Sequence, residues 1–294
     1  MPFRLDKIFT TVISNPTRAG NYIEIEPCDA LKPYIRCFWG SKHNKRDFSD
    51  NKNKSTLVIP DVCMDIMVTG NQDLNSTGSY FCGINNFSYF ADESDSFCFG
   101  IRFYAWSAVL FADEGMNGVL NAFLNADAYF SNFSRELNEK LFNAESIYER
   151  KAIAEKFLLR RLNTKCENFD IMNSLYFIIN NNGNAGVAEL SDYCVISKRQ
   201  LERRFAEYTG VSPKQLINLI RYQLLWQDCL KENFNALDAV EKFEYYDQSH
   251  LIKEFKRFHG MSINNALENV SHFYNTNLVF DYNMKYEGWF KNER

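Results

Sequence analysis

Two stretches decide the fold: SKRQLERRFAEYTGVSPKQLINLIR at 197–221 and YYDQSHLIKEFKRFHGMS at 245–262. They are copies of one pattern at an offset of 50 residues. Leu201, Phe205, Gly210 and Ser212 recur as Leu251, Phe255, Gly260 and Ser262. Ser197 and Asp247 stand ahead of them at matching positions. Both residue types cap helices, because a side-chain oxygen accepts from N–H groups that the first turn leaves unpaired. Ser197-Lys198-Arg199-Gln200 adds the reciprocal spacing of a capping box. Each copy predicts a helix that opens at the cap, buries Leu and Phe four apart, and stops at glycine. An amphipathic segment precedes each, Val187–Tyr193 and Leu237–Phe243. Helix, tight turn, capped helix is the helix-turn-helix unit.

Such a unit reads DNA only if its second helix is exposed and carries long polar side chains in its first turns, where they reach base edges in the major groove. Both copies supply them: Ser197, Lys198, Arg199, Gln200, Glu202, Arg203 and Arg204 in the first, Gln248, Ser249, His250, Lys253, Lys256 and Arg257 in the second. Residues 197–204 hold four Lys/Arg and one Glu, a local +3, and residues 253–259 hold three and one, a local +2. The span 171–270 holds 11 basic against 12 acidic residues, so positive charge is concentrated on the two reading helices. Between the units, Ser212-Pro213-Lys214-Gln215 is a second capping box with proline at the first helical position. The helix it opens, Pro213–Lys231, spans about 28 Å at about 1.5 Å per residue, close to the roughly 34 Å of one DNA turn.

With these residues in hand, the segments 197–221 and 245–262 resemble the AraC/XylS family of transcriptional regulators. The resemblance covers about 100 residues and implies a domain of two helix-turn-helix units joined by a long helix. It implies base-reading roles for Arg199, Glu202 and Arg203 in the first unit and for Gln248, Ser249 and Lys253 in the second. The chain departs from the family at three places: Val195 and Glu244 stand where glycine is usual in each turn, and Ile263 replaces a proline. If either turn residue must adopt positive φ, roughly 1–2 kcal/mol of strain follows.

The rest of the chain reads differently. Residues 1–104 carry short apolar runs broken by turn residues: Tyr22–Glu26, two runs around Pro60 in Leu57–Thr69, and Ser96–Tyr104. A turn-rich stretch at Asn71–Ser79 and a polar loop at Lys42–Lys54 lie between. This predicts a mostly β domain, a sandwich or barrel. Trp106–Ala112, Gly118–Leu124, Ser134–Phe142 and Ala144–Asn163 have helical spacing. In the last, Glu149, Arg150, Lys151, Glu155, Lys156, Arg160 and Arg161 form a charged face expected to be solvated. The chain is thus an α+β protein of two domains: β-rich with trailing helices over 1–165, all-α over 166–270, then an aromatic tail over 271–294. Pro60–Asp65 and Gly100–Phe103 also resemble a sensor type found with this DNA-binding domain. Asp65 and Arg102 fall in apparent core strands, so they read as a structural ion pair or as a ligand-facing pair for an anionic effector. Phe38, Trp39, Phe81, Phe90, Phe97, Phe99 and Phe103 read as core.

Composition bounds the function. Hydrophobic residues make up 46% and charged residues 24% of the 294, an ordinary globular balance with a net charge of −4. The apolar run Ala105–Ala112 is about half of the ~18 residues a span requires. The N-terminus lacks a basic-then-apolar leader, so a cytoplasmic, nucleoid-associated protein is expected. None of the eight cysteines forms a C-x-x-C pair, and the four histidines do not cluster, so reduced thiols, no metal and no cofactor are expected. No phosphate loop or nucleophile motif points to an enzyme. The reading is a sequence-specific DNA-binding regulator controlled through its N-terminal domain by a ligand or by self-association. Double-stranded DNA, a small-molecule effector, a second copy and RNA polymerase are its candidate partners, and a membrane is not. The alternatives are an interaction protein with degenerate helix-turn-helix units and an enzyme targeted to DNA.

Overall fold

The computed structural model describes residues 4–11, 22–41, 55–71, 76–92 and 97–274. A short helix α1 (Leu5–Ile8) precedes eight strands: β1 (Tyr22–Ile25), β2 (Ile35–Ser41), β3 (Ser55–Val58), β4 (Cys63–Asn71), β5 (Ser76–Cys82), β6 (Tyr89–Asp92), β7 (Phe97–Tyr104) and β8 (Phe123–Asn125). Six form an antiparallel sheet in the order β1-β2-β7-β4-β5-β8, and β3 pairs with β6. The expected mostly β start is what the chain forms. The Lys42–Lys54 loop and tail residues 275–294 lie outside the described residues.

Strand alternation sorts the sheet into two faces. Phe38, Ile66, Val68, Phe81, Phe99, Ile101 and Phe103 are buried on one. Phe103 stacks there on Phe130, and Phe81 meets the same ring edge-on. Phe90, expected in the core, is 64% exposed, because it stands on the two-stranded sheet rather than the large one.

Behind the sheet come α2 (Glu139–Asn143) and α3 (Ile147–Arg161). The helical reading of Gly118–Leu124 does not hold: the segment is turn, and its last residues enter β8, paired to β5 through Phe81–Leu124 and Cys82–Phe123. The expectation that Arg150 lies on a solvated face is also corrected. Its guanidinium is fully buried and donates to the carbonyls of Leu141, Ala144 and Ser41, with the Phe97 ring 4.7 Å away. The carbonyls satisfy its donors and tie α3 to the end of β2.

The C-terminal half is helical: α4 (Phe169–Asn180), α5 (Val187–Tyr193), α6 (Lys198–Thr209), α7 (Pro213–Cys229), α8 (Ala236–Lys242), α9 (Gln248–His259) and α10 (Ile263–Tyr274). Local chemistry sets each boundary. The side chains of Ser197, Ser212 and Asp247 accept from Gln200, Gln215 and His250 backbone N–H groups, and Gly210 and Gly260 end α6 and α9 in left-handed geometry. The turns before the two reading helices also go left-handed, at Val195 (φ 54°) and Glu244 (φ 50°). A β-carbon pays for that conformation in steric energy. Val195 is 89% exposed and loses almost no packing if trimmed. We therefore expect Val195→Gly and Glu244→Gly each to raise stability by about 1 kcal/mol, read as a higher urea midpoint with unchanged slope. Lower midpoints would show that the turns are not under strain.

The two halves share one continuous apolar core. Helix α7 lies inside it, with Leu216, Leu219, Ile220, Tyr222, Gln223, Leu225 and Trp226 buried. Gln223 donates to the Pro60 carbonyl and Gln227 to the Thr10 carbonyl, both in the N-terminal half. Near the C-terminal end of α6, the Glu207 carbonyl accepts from the Met116 N–H.

Candidate nucleic-acid interface

The candidate surface is built by α6 and α9. Their buried faces are alike: Leu201, Phe205 and Thr209 on α6, Leu251, Phe255, Phe258 and His259 on α9. The opposite stripe follows from helical spacing. On α6 it holds Arg199, Glu202 and Arg203, all exposed, with Lys198 beside them. On α9 it holds Ser249, Lys253 and Lys256, with Gln248 at the first turn, all exposed. The three base-reading positions implied in each unit therefore lie on the outside of the correct helix.

Other expected contacts are already committed. Gln200 Oε1 accepts from the Ser197 N–H at 3.0 Å and from its hydroxyl at 3.1 Å, so both side chains serve the cap. Arg204 turns back to pair with Asp170 of α4. The His250 ring meets the buried Tyr245 edge-on at 5.4 Å. Arg257 lies over the Phe258 ring at 4.3 Å and reaches Glu254. Exposed and outside these contacts are Lys198, Arg199, Glu202 and Arg203 on one helix, and Gln248, Ser249, Lys253 and Lys256 on the other.

The turns differ by one residue. Between α5 and its following cap stand Cys194, Val195 and Ile196; between α8 and its cap stand Phe243, Glu244, Tyr245 and Tyr246. Tyr245 is buried, with the Arg221 guanidinium 4.8 Å from its ring, and Arg221 also pairs with Glu254 of α9 at 2.9 Å. Next to it on α7, the Tyr222 hydroxyl meets His259 Nδ1 at 2.9 Å. Burial among Trp226 and Phe255 lowers the His259 pKa to about 4. The linker thus holds α9 at its middle, through Glu254, and at its C-terminal end, through His259.

The Asp65–Arg102 pair lies on the other face of the sheet. The pair is joined in register across β4 and β7. Arg102 Nε donates to Asp65 Oδ1 at 2.9 Å, and a second guanidinium nitrogen reaches Oδ2 at 3.2 Å. Trp39 Nε1 donates to the same Oδ1 at 2.8 Å. The indole lies against Gly100, where a β-carbon would stand 1.9 Å from the ring, so only glycine admits this arrangement. Asp61 adds a second carboxylate 3.5 Å from Arg102. Burial pushes the Asp61 pKa up to about 6, against the pull of Arg102. Asp61 sits in a tight corner: Val62, fully buried, has φ 58°, and Pro60 is the residue whose carbonyl holds Gln223 of α7. Sequence reading missed Asp61, although it lies four residues before Asp65 in a segment already singled out.

Among the described residues, no group of three or more His, Cys, Asp or Glu is placed to hold a metal, and no helix is long and apolar enough to cross a membrane. Two helix-turn-helix units on a shared linker, with exposed basic faces, define a DNA-binding transcription regulator. Residues 190–269 match the family described as a helix-turn-helix domain, and the chain carries this domain in its AraC-type form. Residues 23–125 match a family described as a domain of unknown function, DUF6597. A comparison with curated proteins finds no match. Among solved structures, the chain is similar to ToxT from Vibrio cholerae. The 1.65 Å structure is 12% identical with a TM-score of 0.39 and covers 88% of this chain and 97% of that one. ToxT bound to (E)-4-(8-methylnaphthalen-1-yl)but-3-enoic acid is 14% identical with a TM-score of 0.39 and covers 84% and 97%. Wild-type ToxT bound to an unsaturated fatty acid is 12% identical with a TM-score of 0.38 and covers 84% and 93%.

Proposed function

We propose that α6 and α9 read successive major grooves of one asymmetric operator, and that the N-terminal half sets their readiness to do so. The observation that carries this is the matched pair of exposed stripes, Arg199/Glu202/Arg203 and Gln248/Ser249/Lys253, on helices with the same caps and ends. Both helices pack against one buried linker, which fixes their separation without a second copy.

Control from the N-terminal half runs through contacts already made. A small-molecule effector that engages Arg102 or Asp65 must break a carboxylate contact inside the cluster. Displacement of Asp61 carries Pro60 with it, and Pro60 holds Gln223, one residue from the Tyr222–His259 contact on α9.

Arg203→Ala tests the DNA-reading half of the proposal. Arg203 is exposed, two turns into α6, beside Arg199. A duplex selected from random DNA by the full chain should bind the variant about 1–3 kcal/mol more weakly, with relaxed preference at one base pair. Affinity of the parent should fall steeply as salt rises. Equal loss on selected and random duplexes would reduce Arg203 to a phosphate contact. Binding indifferent to salt would defeat the nucleic-acid reading altogether.

A further inference from the structure

We infer that Ile252 reads the 5-methyl group of a thymine, making it a specificity-determining residue of the second unit. The inference deepens the proposed function and rests on α9 entering the major groove. The core face of α9 is complete without this residue: Leu251, Phe255, Phe258 and His259 are buried. Ile252 follows Leu251 by about 100° of helix rotation, which takes it off that face, and it is 41% exposed. It lies three residues after Ser249, four before Lys256 and next to Lys253, so it stands inside the reading stripe. A lone exposed isoleucine elsewhere on a surface is ordinary. This one occupies the position of Glu202 in the first unit, 50 residues earlier, which is likewise exposed on the stripe opposite the buried face of its helix.

The chemistry selects the ligand. In the major groove, base edges present hydrogen-bond donors and acceptors and one apolar group, the thymine methyl. Isoleucine neither donates nor accepts, so that methyl is the base-edge group it complements. Its β-branch holds χ1 nearly fixed in a helix, so little freedom is lost on contact. Glu202 at the same step of α6 is an acceptor, whose complement is the cytosine amino group. The two units therefore read different bases at equivalent steps, and the operator is not two copies of one half-site.

The test replaces each thymine of a selected duplex with deoxyuridine, which removes the methyl and nothing else, and measures binding of the full-length chain. One position in the second half-site should weaken about fourfold, the effect of burying a single methyl group. Ile252→Ala should bind the thymine duplex that much more weakly and be insensitive to deoxyuridine at that position alone. Ile252→Glu should move the preference there from thymine to cytosine. The proposal fails if no thymine lies in the second half-site or if no deoxyuridine weakens binding. It also fails if the deoxyuridine effect survives in Ile252→Ala, or if Ile252→Ala lowers binding to every duplex equally. A parent chain that binds no selected duplex defeats the DNA-binding reading itself, an outcome distinct from these because no variant enters it.

Discussion

Asp65→Ala should cost about 3–5 kcal/mol of folding stability, the largest loss expected from a single substitution outside the apolar core. The carboxylate holds two groups at once, the Arg102 guanidinium through both oxygens and the Trp39 indole N–H through one. Arg102 is only 9% exposed. Removing Asp65 leaves a buried cation facing Asp61 at 3.5 Å and an indole donor with that acceptor gone. The penalty belongs to the stranded charge rather than to the pair. Replacing both partners, Asp65→Leu with Arg102→Met, should therefore recover part of the loss, the rest being the cost of leaving the Asp61 carboxylate without its cation. Urea unfolding of the two singles and the double decides it. A single mutant that melts with the parent would mean that water already reaches Arg102. The cluster would then be an open ligand site rather than a closed structural pair.

The C-terminal half was legible because its determinants are local. Caps, four-residue spacing and terminal glycines are written within single helices, and all of Ser197, Ser212, Asp247, Gly210 and Gly260 behave as their chemistry requires. The left-handed turns at Val195 and Glu244 were signalled only by the resemblance, in which glycine is usual at both places. Arg204 could have been assigned more closely: at spacing 201, 204, 205, 208 it flanks the core stripe, and its charge is met by Asp170. Ile252 carried the converse signal, an apolar residue out of phase with 251, 255 and 258.

The N-terminal half gave up β1, β3, β4 and β7, but β2 and β6 went unread, β5 begins inside the stretch read as turn-rich, and the strand order had no signal at all. Antiparallel pairings such as β2 with β7 join residues 59 to 68 apart, and no periodicity encodes them. Strand β8 has three residues, too few to show alternation, and the apolar spacing of 118–124 imitates a helix. Buried Arg150 was misplaced because its partners are carbonyls, which every residue offers. The contact of Gln223 with Pro60, 163 residues away, has no local signature beyond a polar residue on a buried helix face. These long-range contacts are the ones through which one half of the chain acts on the other.

Two buried groups should oppose each other in acid, between about pH 4 and 6.5. His259 falls from 6.5 to about 4 on folding, because burial disfavours its charged form. Between those values the unfolded chain binds the proton and the folded chain does not. Its contribution is therefore complete above pH 6.5 and is lost as pH falls toward 4, by about 3 kcal/mol at about 1.4 kcal/mol per pH unit. Asp61 rises from 3.8 to about 6, again through burial. Here the folded chain holds the proton that the unfolded chain has released. Stability is therefore lost in the other direction, as pH rises from 3.8 to about 6. Substitution separates the two. Asp61→Asn removes the acid's slope and should leave a protein that loses about 3 kcal/mol between pH 6.5 and 4. His259→Gln removes the other and should leave a protein more stable at pH 4 than at pH 6.5. Urea midpoints across this range give both slopes. Parallel profiles for parent and variants would show that neither group is held away from its solution behaviour. In that case the charge cluster and the linker contact on α9 are both more open to water than their packing implies.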